Sequence, residues 1–199
     1  MKGVTAPSSD LIRATEAALD EHGWNGITAE LIAAAAGLSR VTLYRRGHTT
    51  AQLLASAAAA TAAEFERHAL ESLTRPGTAA ERLAILLESL FQLADDHLTL
   101  LAGLYDGPTA AFHLTGSHGG DPKVVTRLEY TEPFERLLRD GQVDGTLHSD
   151  DPSGDAELIF NTAGWTYIHF RRSHGWPPRR ARRAVGKIVG AMNRAGGST

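Results

Sequence analysis

The chain has 199 residues, 42% of them hydrophobic and 22% charged, the proportions of a soluble globular protein of one large domain or two smaller ones. With no cysteine, disulfides and thiolate metal sites are excluded; with no apolar signal core in MKGVTAPSSD and no run near the roughly 18 apolar residues a membrane span requires, a cytoplasmic protein is expected. The net charge of −3 excludes a uniformly basic chain, but the distribution is uneven: residues 55–170 hold seven bases against eighteen acids, and residues 171–199 hold eight bases and no acid.

Helical spacing runs through almost the whole chain. Ser8 or Ser9 caps a first helix with Leu11, Ala14, Thr15, Ala18 and Leu19 on one face, ending at His22-Gly23. Trp24 and Ile27 are expected to close a small three-helix core beneath the third helix. Thr28 caps a second helix with Leu31, Ile32 and Ala35 on its apolar side, and Gly37 supplies the left-handed residue of a tight turn. Leu38 plugs that turn, and Ser39 caps a very short third helix carrying Arg40, Thr42, Tyr44, Arg45 and Arg46, with no acid between Glu30 and Glu64. Two short helices joined by a glycine turn, the second rich in donors, are the signature of major-groove reading.

Steps of about 100° per residue put Leu43 inward and Val41, Thr42, Tyr44 and Arg45 outward. Arg45 suits guanine or phosphate, and Thr42 with the Val41 methyls suits a thymine edge. Tyr44, Thr28 and Ser39 suit phosphate oxygens, the last two helped by helix N-termini.

Thr49 then caps an alanine-rich rod from Thr50 to about Leu73, roughly 36 Å long. Arg75-Pro76-Gly77 stops it, and Thr78 starts a helix with Leu83, Leu86, Leu87, Leu90, Phe91 and Leu93 inward. A short apolar stretch follows around Leu98, Leu101 and Leu104, then a glycine-rich segment over 106–122. Three more helices are predicted over about 123–140, 153–173 and 178–194, making about nine in an all-α protein. The first 54 residues form one domain and residues 55–199 a second.

Two apolar stripes close the chain. Ala156, Phe160, Ala163, Tyr167 and Phe170 recur every three or four residues, as do Ala181, Val185, Ile188 and Met192, and Gly164 permits close approach. Such stripes pack either within one subunit or as a four-helix bundle between two. The arginines at 171, 172, 179, 180, 182 and 183 are expected either to pair with the acidic middle of the chain, within or across subunits, or to be solvated. The nine histidines show no HxxxH spacing, and the nearest pairs, His113 with His118 and His169 with His174, lie five apart. No metal site, cofactor or catalytic constellation is expected, and hence no enzyme.

The stretch from Thr28 to Arg45, TAELIAAAAGLSRVTLYR, with Leu53-Leu54 beyond it, resembles the TetR family of bacterial repressors. That resemblance implies an N-terminal helix-turn-helix domain that binds a palindromic operator as a homodimer. Its DNA contacts would come from Thr28, Ser39, Arg40, Val41, Thr42, Tyr44, Arg45, Arg46 and Thr50. Gly47 stands where the family usually has an aromatic residue and Thr50 where it usually has a lysine, so the exit from the third helix departs from the pattern.

The resemblance further implies a C-terminal helical bundle that binds a small-molecule effector. Phe91, Leu101, Tyr105, Phe112, His113, Phe134, Trp165 and His169 have suitable chemistry for that pocket. Dimerisation would use Phe160, Ala163, Gly164, Tyr167, Val185, Ile188 and Met192. The rival expectation is a helical small-molecule binding protein of the same fold that has lost tight DNA binding through Gly47 and Thr50.

Overall fold

The computed structural model describes residues 6–106 and 127–195, and among them every element is helical. The helices are α1 (Ser9–His22), α2 (Ala29–Ala35), α3 (Arg40–Arg45), α4 (Thr50–Thr74), α5 (Ala79–Asp96), α6 (Leu98–Asp106), α7 (Arg127–Asp144), α8 (Pro152–Arg172) and α9 (Pro178–Ala195). No helix among the described residues is long and apolar enough to cross a membrane.

The N-termini form where short polar side chains can replace missing backbone partners. Ser8, Thr28, Ser39, Thr49, Thr78 and Asp151 each accept a backbone N–H in the first turn. At Thr49 and Thr78 the arrangement is reciprocal, with Gln52 and Glu81 reaching back to the capping residue's own N–H.

The two short helices end alike. Leu38 N–H donates to the Ala33 carbonyl at 2.8 Å and Gly37 N–H to Ala34 at 3.0 Å; His48 N–H donates to Leu43 at 3.3 Å and Gly47 N–H to Tyr44 at 2.9 Å. This paired closure places Gly37 at φ 65° and Gly47 at φ 81°, where a side chain is strained. Gly47 therefore ends α3 in a defined turn.

Two cores result. Leu11, Ala18, Ile32, Ala33, Leu43 and Leu53 lock α1 to α4 into the small N-terminal unit. Phe65, Phe134, Leu137, Phe160 and Tyr167 centre the larger core, in which α4, α5, α7, α8 and α9 pack together. Two expectations need correcting. Ala35 is exposed and Ala29 and Ala33 take the buried side of α2, because the seven-residue helix faces α1 through its 29–32–33 edge. Trp24 does not lie under α3; it packs with Leu19, Ala57, Leu100 and Leu104, at the seam between α1, α4 and α6.

The closing stripes also divide differently. Phe160, Ala163, Gly164, Tyr167 and Val185 are buried within a single chain, so they are core positions and not a free surface. On α9 the buried row is Ala181, Val185, Val189, a strict spacing of four, which turns Ile188 outward to 40% exposure. The side chain of Met192 lies outside the described residues. Leu158, half-exposed on α8, joins Ile188 among the large apolar groups left at the surface.

Candidate functional site

The third helix is anchored by one side chain and presents most of the others. Leu43 is wholly buried, while Val41 is 74% and Tyr44 49% exposed, with Arg45 and Arg46 beside them in solvent and Thr42 half-buried. Ser39 fixes the start: its hydroxyl accepts the Thr42 N–H at 3.1 Å and meets the Thr42 hydroxyl at 2.9 Å. Thr28 caps α2 through the Leu31 N–H at 3.3 Å, and Thr50 sits half-buried in the first turn of α4. The candidate nucleic-acid residues thus lie at the N-termini of α2, α3 and α4 and along α3 to its C-terminal end.

Arg40 behaves differently from its neighbours. Its guanidinium pairs with Glu30 at 2.5 Å and lies over the Tyr44 ring, 5.2 Å from the centroid. The nearest acid in sequence is ten positions away, so linear spacing hides this pair; the α2–α3 turn brings it together.

A seam couples this unit to the larger body. Trp24 lies against Gly103 of α6 so closely that a Cβ on Gly103 would overlap the indole. Close by, His97 bridges two helices, meeting Glu16 of α1 at 3.0 Å and Glu64 of α4 at 3.3 Å. The Glu16 hydrogen bond, with Glu64 in support, outweighs burial and raises the pKa of His97 above its ordinary value. Neither Trp24 with Gly103 nor His97 with its acids was identifiable from spacing, since each joins elements more than thirty residues apart.

In the body, an apolar cavity of about 30 Å³ lies among Leu90, Leu93, Leu101, Tyr130, Phe160 and Trp165. A second hollow of about 40 Å³ adjoins it, lined by Tyr105, Trp165, His169, Arg172 and Ser173 among others. Of the pocket residues expected from sequence, Leu101, Tyr105, Trp165 and His169 line these hollows. Phe91 and Phe134 do not: Phe91 stacks on Tyr167 at 4.7 Å and Phe134 stacks on Phe65 at 6.4 Å, both as core. Phe112 and His113 lie outside the described residues.

A charged cluster ties α5, α8 and α9 together behind the cavity. Asp95 accepts from the Tyr167 hydroxyl at 2.7 Å, Arg171 at 2.6 Å and Arg182 at 2.9 Å, and Arg182 also reaches Glu88. Burial pushes the Asp95 carboxyl up, but these three donors together hold it below the usual carboxylate range. Of the six C-terminal arginines, Arg171 and Arg182 make the expected pairing with the acidic middle here. His169 and His174 pack edge to face at 4.9 Å, and no group of three metal-ligating side chains occurs among the described residues.

Residues 11–57, which span this N-terminal unit from α1 into α4, match the family described as bacterial regulatory proteins, tetR family. The N-terminal unit is thus similar to the tetR family over these residues.

Beyond these residues, the fold of the chain as a whole resembles several solved structures. A TetR-family regulator from Pectobacterium atrosepticum superposes with a TM-score of 0.69 at 17% identity, covering 94% of this chain and 91% of that one. The fatty acid degradation regulator FadR from Bacillus halodurans gives 0.69 at 18% identity, with 95% and 96% covered. FadR from Bacillus subtilis, solved in complex with stearoyl-CoA, gives 0.65 at 18% identity, with 90% and 96% covered. At such identities the likeness is one of fold. No curated protein matches the sequence.

Proposed function

We propose that this chain is a homodimeric transcriptional repressor that leaves its operator when a small molecule enters the body. Residues 1–54 read DNA, and residues 55–199 sense the ligand and dimerise. The observation that carries the reading is the α3 surface: a short helix held by Leu43 that turns Val41, Tyr44 and Arg45 to solvent from a unit matching the TetR DNA-binding family. Exposed apolar and cationic groups on one capped helix suit a groove with base edges at its floor and phosphates along its rims.

The seam supplies the route for release. A ligand wedged between Leu101 and Trp165 bears on α6, and α6 bears on Trp24 through Gly103. A shift of α6 thus reorients the DNA-reading unit, so ligand and operator favour different arrangements of the dimer. The rival reading, a ligand-binding protein without DNA affinity, loses the support of Gly47, because that residue closes α3 in a paired turn.

Gel-shift titration against DNA upstream of the chain's own coding region tests the proposal. Binding should weaken with salt by about 0.9 in the logarithmic slope for each phosphate contact. Arg45→Ala should cost about 1–3 kcal/mol of operator affinity. Binding that survives both Arg45→Ala and Tyr44→Phe unchanged would remove α3 from the interface and overturn the reading.

A further inference from the structure

The two hollows in the body differ in chemistry and share the lining residues Trp165 and Ile168. The inner cavity is walled by aliphatic and aromatic side chains from α5, α6, α7 and α8, and offers nothing to a charged group. The outer hollow holds His169, Arg172 and Ser173, and no carboxylate lines either one among the described residues. Trp165 and Ile168 are common to both, so the two spaces are separated by a single side-chain layer. Tyr105 stacks on Trp165 at 4.5 Å over that layer.

The cations nearby are not equivalent. Arg171 is used by Asp95 and by the Trp176 carbonyl at 2.7 Å, and Arg182 by Asp95 and Glu88. Arg172 has no acidic partner among the described residues, and it borders the outer hollow. At the last turn of α8 the exposed carbonyl ends favour the positive charge of Arg172, the one permanently charged side chain lining the outer hollow among the described residues. Behind them, a Cβ on Gly164 would meet nothing within 4 Å, and Gly164 lines the inner cavity.

We propose that the effector is an anionic amphiphile, with an apolar chain that enters the inner cavity past Trp165 and a carboxylate or phosphate head held by Arg172 and His169. This rests on the reading of the body as the sensing domain. At about 30 Å³ the cavity has room for roughly one water, so the chain must part the Tyr105–Trp165 stack and displace core side chains as it enters. The apolar walls supply affinity for the chain, and the guanidinium supplies the preference for a negative head.

The test uses the full chain and four probes of equal chain length below their micelle concentrations: dodecanoate, dodecyl phosphate, dodecanol and dodecyltrimethylammonium. Binding is read by calorimetry and by tryptophan fluorescence. At least one anion should bind about tenfold or more tightly than the alcohol and the cation, and comparing the two anions tells carboxylate from phosphate. Arg172→Ala should erase that preference, and Gly164→Leu, which fills the cavity, should weaken every probe. If Gly164→Leu fails to fold by circular dichroism, butanoate replaces it, and should bind at least tenfold more weakly than dodecanoate to the unaltered chain. A cation bound as tightly as the anions, or an anion affinity untouched by Arg172→Ala, overturns the proposal. Salt-sensitive binding of duplex DNA by the same preparation with no anion binding overturns the ligand class alone. Anion binding without DNA binding supports the ligand class and overturns the repressor.

Discussion

At the scale of single residues, α3 depends on what stands at its two ends. Ser39 and Leu43 are recognisable from sequence because a cap is a local event and an inward leucine follows from the 100° step. The Glu30–Arg40 pair is not recognisable, because it requires the turn between two helices to be in place. Gly47 shows the same limit from the other side. As one of two departures from the family pattern it suggests looseness, yet the structure places it at φ 81° with two backbone bonds closing the helix. Gly47→Ala is therefore expected to destabilise the N-terminal unit by about 1–2 kcal/mol, measured by thermal or urea unfolding, because a side chain there is forced into the left-handed region. An unchanged midpoint would mean that the turn is not held as described.

At the scale of elements, the seam between α1, α4 and α6 joins the N-terminal unit to the body by shape and by charge. Trp24→Ala should cost about 3–5 kcal/mol through the void it leaves. Gly103→Ala should cost about 1–3 kcal/mol through overpacking. The double variant should be less destabilised than the sum, since removing the indole relieves the clash; additive losses would show that the two residues do not share one contact. Charge enters through His97. Its folded pKa lies above the unfolded value of 6.5, so its stabilising bond to Glu16 and Glu64 is fully present below 6.5 and is lost as pH rises through the folded value. His97→Gln should flatten the fall in stability over that window, as followed by denaturant midpoints across a pH series. A fall of the same steepness in the variant would assign the pH dependence to other groups. Caps, breaks and helix spans in these elements follow closely from sequence, because each is set within about one turn. The helix ending at Asp144, four residues beyond the expected limit of 140, is an exception: Gly141 offers an earlier stop, but Gly145 at φ 74° is the residue that closes it.

At the scale of the whole molecule, the closing stripes separate two kinds of apolar position that look identical in sequence. Val185 is fully buried against its own chain, and Ile188, three residues on, faces solvent. Ile188→Glu should leave unfolding within about 0.5 kcal/mol of the parent while shifting sedimentation from dimer toward monomer. Val185→Glu should unfold the chain outright, since an unpaired carboxylate would be buried. A dimer that withstands Ile188→Glu would place the subunit interface elsewhere. By itself, the sequence determined the all-helical class, the helix-turn-helix, the inward Leu43 and the outward Val41, Tyr44 and Arg45, because periodicity, capping and turn chemistry act over a few neighbouring residues. Only the tertiary structure decided that Phe91 and Phe134 are core, that Arg172 is left to face a hollow while Arg171 and Arg182 are taken by Asp95, and that Trp24 joins the two units. Those outcomes turn on which helices pack together, and one apolar or basic residue can be distinguished from another only when its partner from a distant segment is in place.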